Sequence, residues 1–286
     1  MRSLSRFVDA FLGFLRSILS REWFLLNDAG VTNFASAAVL VNAVLGFILM
    51  LIVAIKTDSF AASLVGVVWF VILLVGFWIA RSFVVACGRL IEHSHTSIGG
   101  TELTDSCALL LGVLAAGLGV LGLYLAIDSS SMSPIWTFIP IAIGLAYYVS
   151  LLLNLDLINV EVKADASAGE EAISVFLLFS KAAVRLAGVA FGSLSVFGAL
   201  SLIAVTYGVL SESTSAFELV GTALFGAAGV FLALYALIAP VVLYFGYLLL
   251  ALFSDVCGSL IRLAPAPVRT RVAIQEPPVL LPLVEN

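Results

Sequence analysis

The sequence predicts an all-α integral membrane protein of six transmembrane helices arranged as three hairpins, and three observations carry that prediction. Hydrophobic residues make up 62% of the 286 residues and charged ones 11%, against roughly 45–50% and about 25% in an ordinary soluble domain. Six apolar stretches without a charged side chain are each long enough to cross a hydrocarbon core: Phe34–Ile55, Phe60–Ala80, Cys107–Ile127, Ile135–Leu155, Leu186–Leu210 and Leu219 to about Ala239. Twelve of the thirteen Lys and Arg lie in segments that an even number of crossings puts on one side, leaving Lys56 alone opposite. By the positive-inside rule, both termini are then expected in the cytosol, in a plasma (inner) membrane.

The same composition excludes other classes. A mean hydropathy of +1.19 does not fit a soluble or a disordered chain. Thirteen Lys and Arg against eighteen Asp and Glu do not make a nucleic-acid binder. Cys87, Cys107 and Cys257 are an odd number at wide spacing, all expected on the reducing side, so no disulfide framework is predicted. Arg16 interrupts the first apolar stretch with no small-residue cleavage site after it, so no removable leader is expected.

Residues 1–22 carry Leu4, Phe7, Val8, Phe11, Leu12, Phe14, Leu15, Ile18 and Leu19 at helical spacing among four arginines, the pattern of an interfacial amphipathic helix. Arg2, Arg6, Arg16 and Arg21 are its candidate lipid contacts, and Trp23 stands where an aromatic anchor would. The membrane domain is expected over 23–263. Asp58 is a candidate cap for the second span, Ser133 before Pro134 for the fourth, and Thr104 or Asp105 for the third. Ser215-x-x-Glu218 and Ser167-x-x-Glu170 read as capping boxes, for the sixth span and for a helix of the third long loop. The apolar run from Leu219 to Phe253 would be about 52 Å as a helix, too long for one crossing, so Pro240 is expected to kink or end it.

Polar chemistry concentrates in the connecting segments. Both histidines, His93 and His95, lie between the second and third spans. His-x-His puts two imidazoles on one side only if the chain is extended, and the nearby Cys spacing matches no zinc pattern, so the pair is a metal candidate without a ligand set. Lys181 and Arg185 are four residues apart, on one helix face, where they are expected to snorkel to phosphates. Five of the eight prolines fall in residues 264–286, predicting an extended cytosolic tail.

The spans lack Asp, Glu, His, Lys and Arg, so neither an ion-coupled relay nor a proteolytic dyad can be assembled within them. Asn42, with Gly188-x-x-x-Gly192, reads instead as helix-packing chemistry. The functional expectation is a non-catalytic accessory, scaffold or assembly component, with no cofactor. Its expected partners are membrane lipid and a membrane protein or a second copy. A passive transporter or channel for a neutral or amphipathic small molecule is the alternative, because backbone carbonyls and hydroxyls need no charge.

Overall fold

The computed structural model describes residues 2–129, 133–163, 168–210 and 216–263. Both capping-box serines, Ser167 and Ser215, and the proline-rich 264–286 segment lie outside the described residues. The described chain is almost wholly helical: α1 (Arg2–Ile18), α2 (Arg21–Thr57), α3 (Phe60–His93), α4 (Glu102–Asp128), α5 (Ser133–Leu153), α6 (Ala168–Arg185), α7 (Ala187–Leu210) and α8 (Ala216–Leu263). Two three-residue strands, β1 (Thr96–Ile98) and β2 (Val160–Val162), pair in parallel. A single 3-10 turn, Leu155–Ile158, precedes β2. Five helical stretches are long and apolar enough to cross a membrane, which makes this an all-α, multi-pass membrane protein.

Local chemistry sets the helix ends. The Ser20 hydroxyl accepts a hydrogen bond from the Trp23 amide at 3.3 Å and opens α2. Asp58, expected to cap the following helix, instead closes α2: it adopts the left-handed conformation (φ 49°, ψ 40°) and its amide donates to the Ala54 carbonyl. Ser59 then stands before α3 without a side-chain cap bond. Thr104 and Asp105 likewise do not cap α4. The helix starts at Glu102, Thr104 bonds back to the Thr101 carbonyl, and Asp105 faces Arg16.

Of the two outcomes expected at Pro240, an end is corrected, because α8 is helical through it over 48 residues, about 72 Å along the helix. The proline removes one ladder bond, but Ala236, Leu237, Pro240 and Tyr247 are all buried along this helix, so tertiary packing keeps it helical past the missing donor.

α2, α3, α8 and α7 form a ring in that order, each packed on its two neighbours. Its core is made largely of small residues: Ala35, Val39 and Ala43 of α2, Ala80 of α3, Ala233 and Ala236 of α8, closed by Leu73 and Phe191. A Cβ on Gly192 would sit 2.7 Å from the Val31 carbonyl oxygen, so α7 and α2 approach almost to backbone contact there. α4 and α5 pack on each other; α1 lies against α4, and α5 meets α6 and α2. A second core gathers at the end of the ring that carries α1, α6 and both strands, called here the loop end. It contains Leu15, Leu19, Phe24, Cys87, Ile91, Ile98, Tyr147, Leu151, Ile158, Leu178 and Tyr247.

Candidate functional site

The loop end is built around the last turn of α3. A helix leaves its final carbonyls without amide donors, and here they are met from far along the chain. Asn159, left-handed between the 3-10 turn and β2 (φ 51°), places its side-chain amide 3.3 Å from the Ile91 carbonyl and 3.0 Å from those of Glu92 and Ser94. The Lys181 ammonium, arriving from α6, donates to the Ser94 carbonyl at 2.6 Å and to the Asn159 carbonyl at 3.1 Å. β1 and β2 extend this seam in the register Thr96–Val160, Ser97–Glu161, Ile98–Val162, and the Lys163 amide adds a bond to the Ile98 carbonyl at 2.7 Å. Three segments far apart in sequence are thus joined by backbone carbonyls.

Lys181 is therefore not at a headgroup. It is fully buried, and among the described residues its ammonium meets two backbone carbonyls and no carboxylate. Arg185 is also turned inward, pairing with Asp28 at 3.2 Å and lying over the Phe24 ring at 5.2 Å. Arg16 pairs with Asp105 at 2.7 Å and Arg21 with Asp156 at 3.0 Å, which ties α1 to α4 and the start of α2 to the 3-10 turn. Trp23 stacks 4.9 Å from Tyr147 rather than standing alone as an anchor. Of the residues expected to meet lipid, Arg6 is exposed on α1, and the Arg2 side chain is outside the described residues. The Leu19 carbonyl, just past the end of α1, accepts from Ser150 at 3.1 Å and from Asn154 at 3.0 Å, so α5 closes that terminus.

The two histidines part ways. His93 is the last residue of α3, its Nδ1 against the Arg89 carbonyl at 2.7 Å, whereas His95 Nε2 lies 3.3 Å from Glu161 across the strand pair. Among the described residues, no group of three or more His, Cys, Asp or Glu converges as a metal site. Glu161 is fully exposed; a hydrogen bond from Lys163 first, then the His95 charge, hold its carboxyl below the usual carboxylate range.

Along the flank, the ring presents a cleft of about 490 Å³ between α5 and the α7–α8 pair. Pro140 forms one wall, Leu194, Phe197 and Leu200 a second, Ala228 and Leu232 a third. Ser201, the one hydroxyl there, is already bonded to the Phe197 carbonyl at 2.9 Å. The cleft can therefore take apolar surface and offers little for a polar group to bond. Inside the ring, Asn42 donates to the Ser195 carbonyl at 3.1 Å and is fully buried, its Oδ1 without a hydrogen-bond donor. Gly188 lies against Asp28, Thr32 and Val84, and Gly192 against Val31, so both contacts are within this chain.

Comparison with protein-family models, with curated proteins and with solved structures finds no match.

Sequence reasoning missed Asn159, Asp28 and Glu161. An Asn inside the apolar word Leu157-Ile158-Asn159-Val160 is a turn signal, since Asn tolerates the left-handed region. Nothing local, however, reports that its amide meets a helix more than sixty residues away.

Proposed function

We propose that this protein is a non-catalytic accessory or scaffold component of the plasma (inner) membrane, crossing it six times as three hairpins, with both termini and the loop end in the cytosol. α5, 21 residues of mostly apolar sequence, supplies the sixth crossing beside α4. The observation that carries the reading is the contrast between interior and flank. Among the described residues the ring core is filled by alanines, Val39, Leu73, Phe191 and Leu237 around the buried Asn42, while the side of the bundle holds an open apolar cleft. A protein that binds another membrane component laterally needs the cleft and not a polar interior. The described Asp28, Asp105, Asp156 and Glu161 are all engaged in ion pairs that join segments, a structural rather than a catalytic use.

The test is purification from native membranes into lipid nanodiscs, followed by mass spectrometry, for the wild type and for Leu200→Trp, which fills the cleft. A stoichiometric membrane-protein partner that the variant loses while remaining folded supports the scaffold. A monodisperse protein that conducts a neutral solute into liposomes, with conduction abolished by Leu200→Trp, overturns it in favour of the passive transporter.

A further inference from the structure

Apart from Arg6, exposed on α1, the described Lys and Arg of the loop end fall into two groups. Arg16, Arg21, Arg185, Lys163 and Lys181 are each engaged by a carboxylate or by backbone carbonyls of the same chain. Arg81 and Arg89, both exposed on α3, have no such partner among the described residues, although Glu92 stands only three residues beyond Arg89. Together with Trp78, Ser82 and Val85 they line a notch of about 450 Å³ on the outer face of that helix. Ser82 donates its hydroxyl to the Trp78 carbonyl at 2.9 Å, so the donors that the notch offers are the two guanidiniums and the Trp78 indole N–H.

The register of α3 gives the notch a continuation. Leu64, Val68, Val71, Val75, Trp78, Ser82, Val85 and Arg89 follow one another by three or four residues and so form one stripe. The apolar members from Leu64 to Trp78 are 49–70% exposed. The stripe thus passes from bare aliphatic surface through an indole to the Arg89 guanidinium, with Arg81 beside it, the order in which a lipid passes from acyl chain through interface to phosphate. Arg81 and Arg89 are about 12 Å apart along the helix, close enough for two long side chains to converge on a headgroup between them. Against a second copy of this chain, the same stripe would bring like-charged arginines together and would present β-branched valines where close helix pairs use small residues.

We propose that this notch binds the phosphate of an anionic phospholipid, with its acyl chains laid along Val75 and Val71, the part of the stripe within one leaflet's depth of the notch. The proposal rests on the membrane setting of α3 and not on the scaffold role, so a positive flux assay would leave it standing. Arginine suits the site because its fork can donate two parallel bonds to a phosphate.

The experiment is native mass spectrometry of the full chain released from nanodiscs of mixed phosphatidylcholine and phosphatidylglycerol. Wild type is expected to retain phosphatidylglycerol in excess of its bulk share. Arg81→Gln or Arg89→Gln should lower that enrichment about fivefold each, and the pair roughly thirtyfold. Arg81→Lys with Arg89→Lys should keep most of it, showing that the loss follows charge rather than misfolding. Arg21→Gln, which removes an internally paired cation, should leave it unchanged. Unaltered enrichment in the double Gln variant would overturn the proposal. So would displacement of the lipid by millimolar inorganic phosphate alone, or a change of oligomeric state in Val71→Trp without change in bound lipid.

Discussion

An ammonium taken out of water and bonded to two backbone carbonyls joins the segments of the loop end at Lys181. Replacing it by Met keeps the aliphatic stem but takes the Lys181 bond from the part-buried Asn159 carbonyl and leaves the Ser94 carbonyl to the Asn159 amide alone. The expected cost is about 1–3 kcal/mol, read as a lower unfolding midpoint in detergent, with faster amide exchange in β1 and β2. Asn159→Gly preserves the left-handed backbone while removing the amide, so a loss similar to that of Asn159→Ala would assign the stabilisation to the three α3 carbonyls rather than to the turn. The two glycines of α7 should differ. Gly192→Ala drives a methyl into the Val31 carbonyl and should destabilise by about 1–3 kcal/mol. Gly188→Ala meets only side-chain atoms, the nearest being Asp28 Oδ1 at 3.2 Å, and should stay within about 1 kcal/mol of wild type.

Among the elements, α1 and the strand pair are the parts whose attachment can be varied without touching the ring. Leu15 of α1 seats against Gly112 of α4, and Arg16 pairs with Asp105 beside it. An exposed pair contributes under about 1 kcal/mol, so Arg16→Gln should scarcely move global stability. It should, however, raise proteolytic nicking between α1 and α2. The Glu161 carboxyl, held below its usual range by Lys163 and His95, favours the folded strand pair when ionised. The sign follows: that contribution is complete above the ordinary carboxylate pKa near 4 and is lost as pH falls through the lowered folded value. Amide exchange at Ser97 and Val162 is therefore expected to accelerate on acidification below about pH 4, and Glu161→Gln should remove most of that pH dependence. Equal acceleration in the variant would locate the acid response elsewhere.

For the whole molecule, sidedness is the quantity to measure first. In a background lacking Cys107 and Cys257, with the buried Cys87 retained, a cysteine at Ser129 should react with an impermeant maleimide added to intact cells. A cysteine at His95 should react only after the membrane is opened. The reverse pattern would place the loop end outside and overturn the positive-inside reading.

Sequence alone determined that this chain is helical, multi-pass and apolar, because a bilayer demands runs of about twenty uncharged residues that satisfy their own backbone hydrogen bonds, and such runs are legible without knowing what they touch. It also marked Asn42, Gly188 and Gly192 as packing residues, since small and amide side chains in a span have few other uses. The ends of elements were less legible: Asp58 sits at a boundary where either neighbouring helix could have used it, and Pro240 is a breaker only where packing does not override it. Whether a cation faces lipid or protein was decided by the tertiary structure. Lys181 and Arg185 have the spacing of snorkelling residues, yet α6 rolls them onto the α3 terminus and Asp28, whereas Arg81 and Arg89 are left facing outward. Charge and helical period assign a side chain to a face of its own helix; what that face meets depends on segments far away in the sequence, and only the folded chain brings them together.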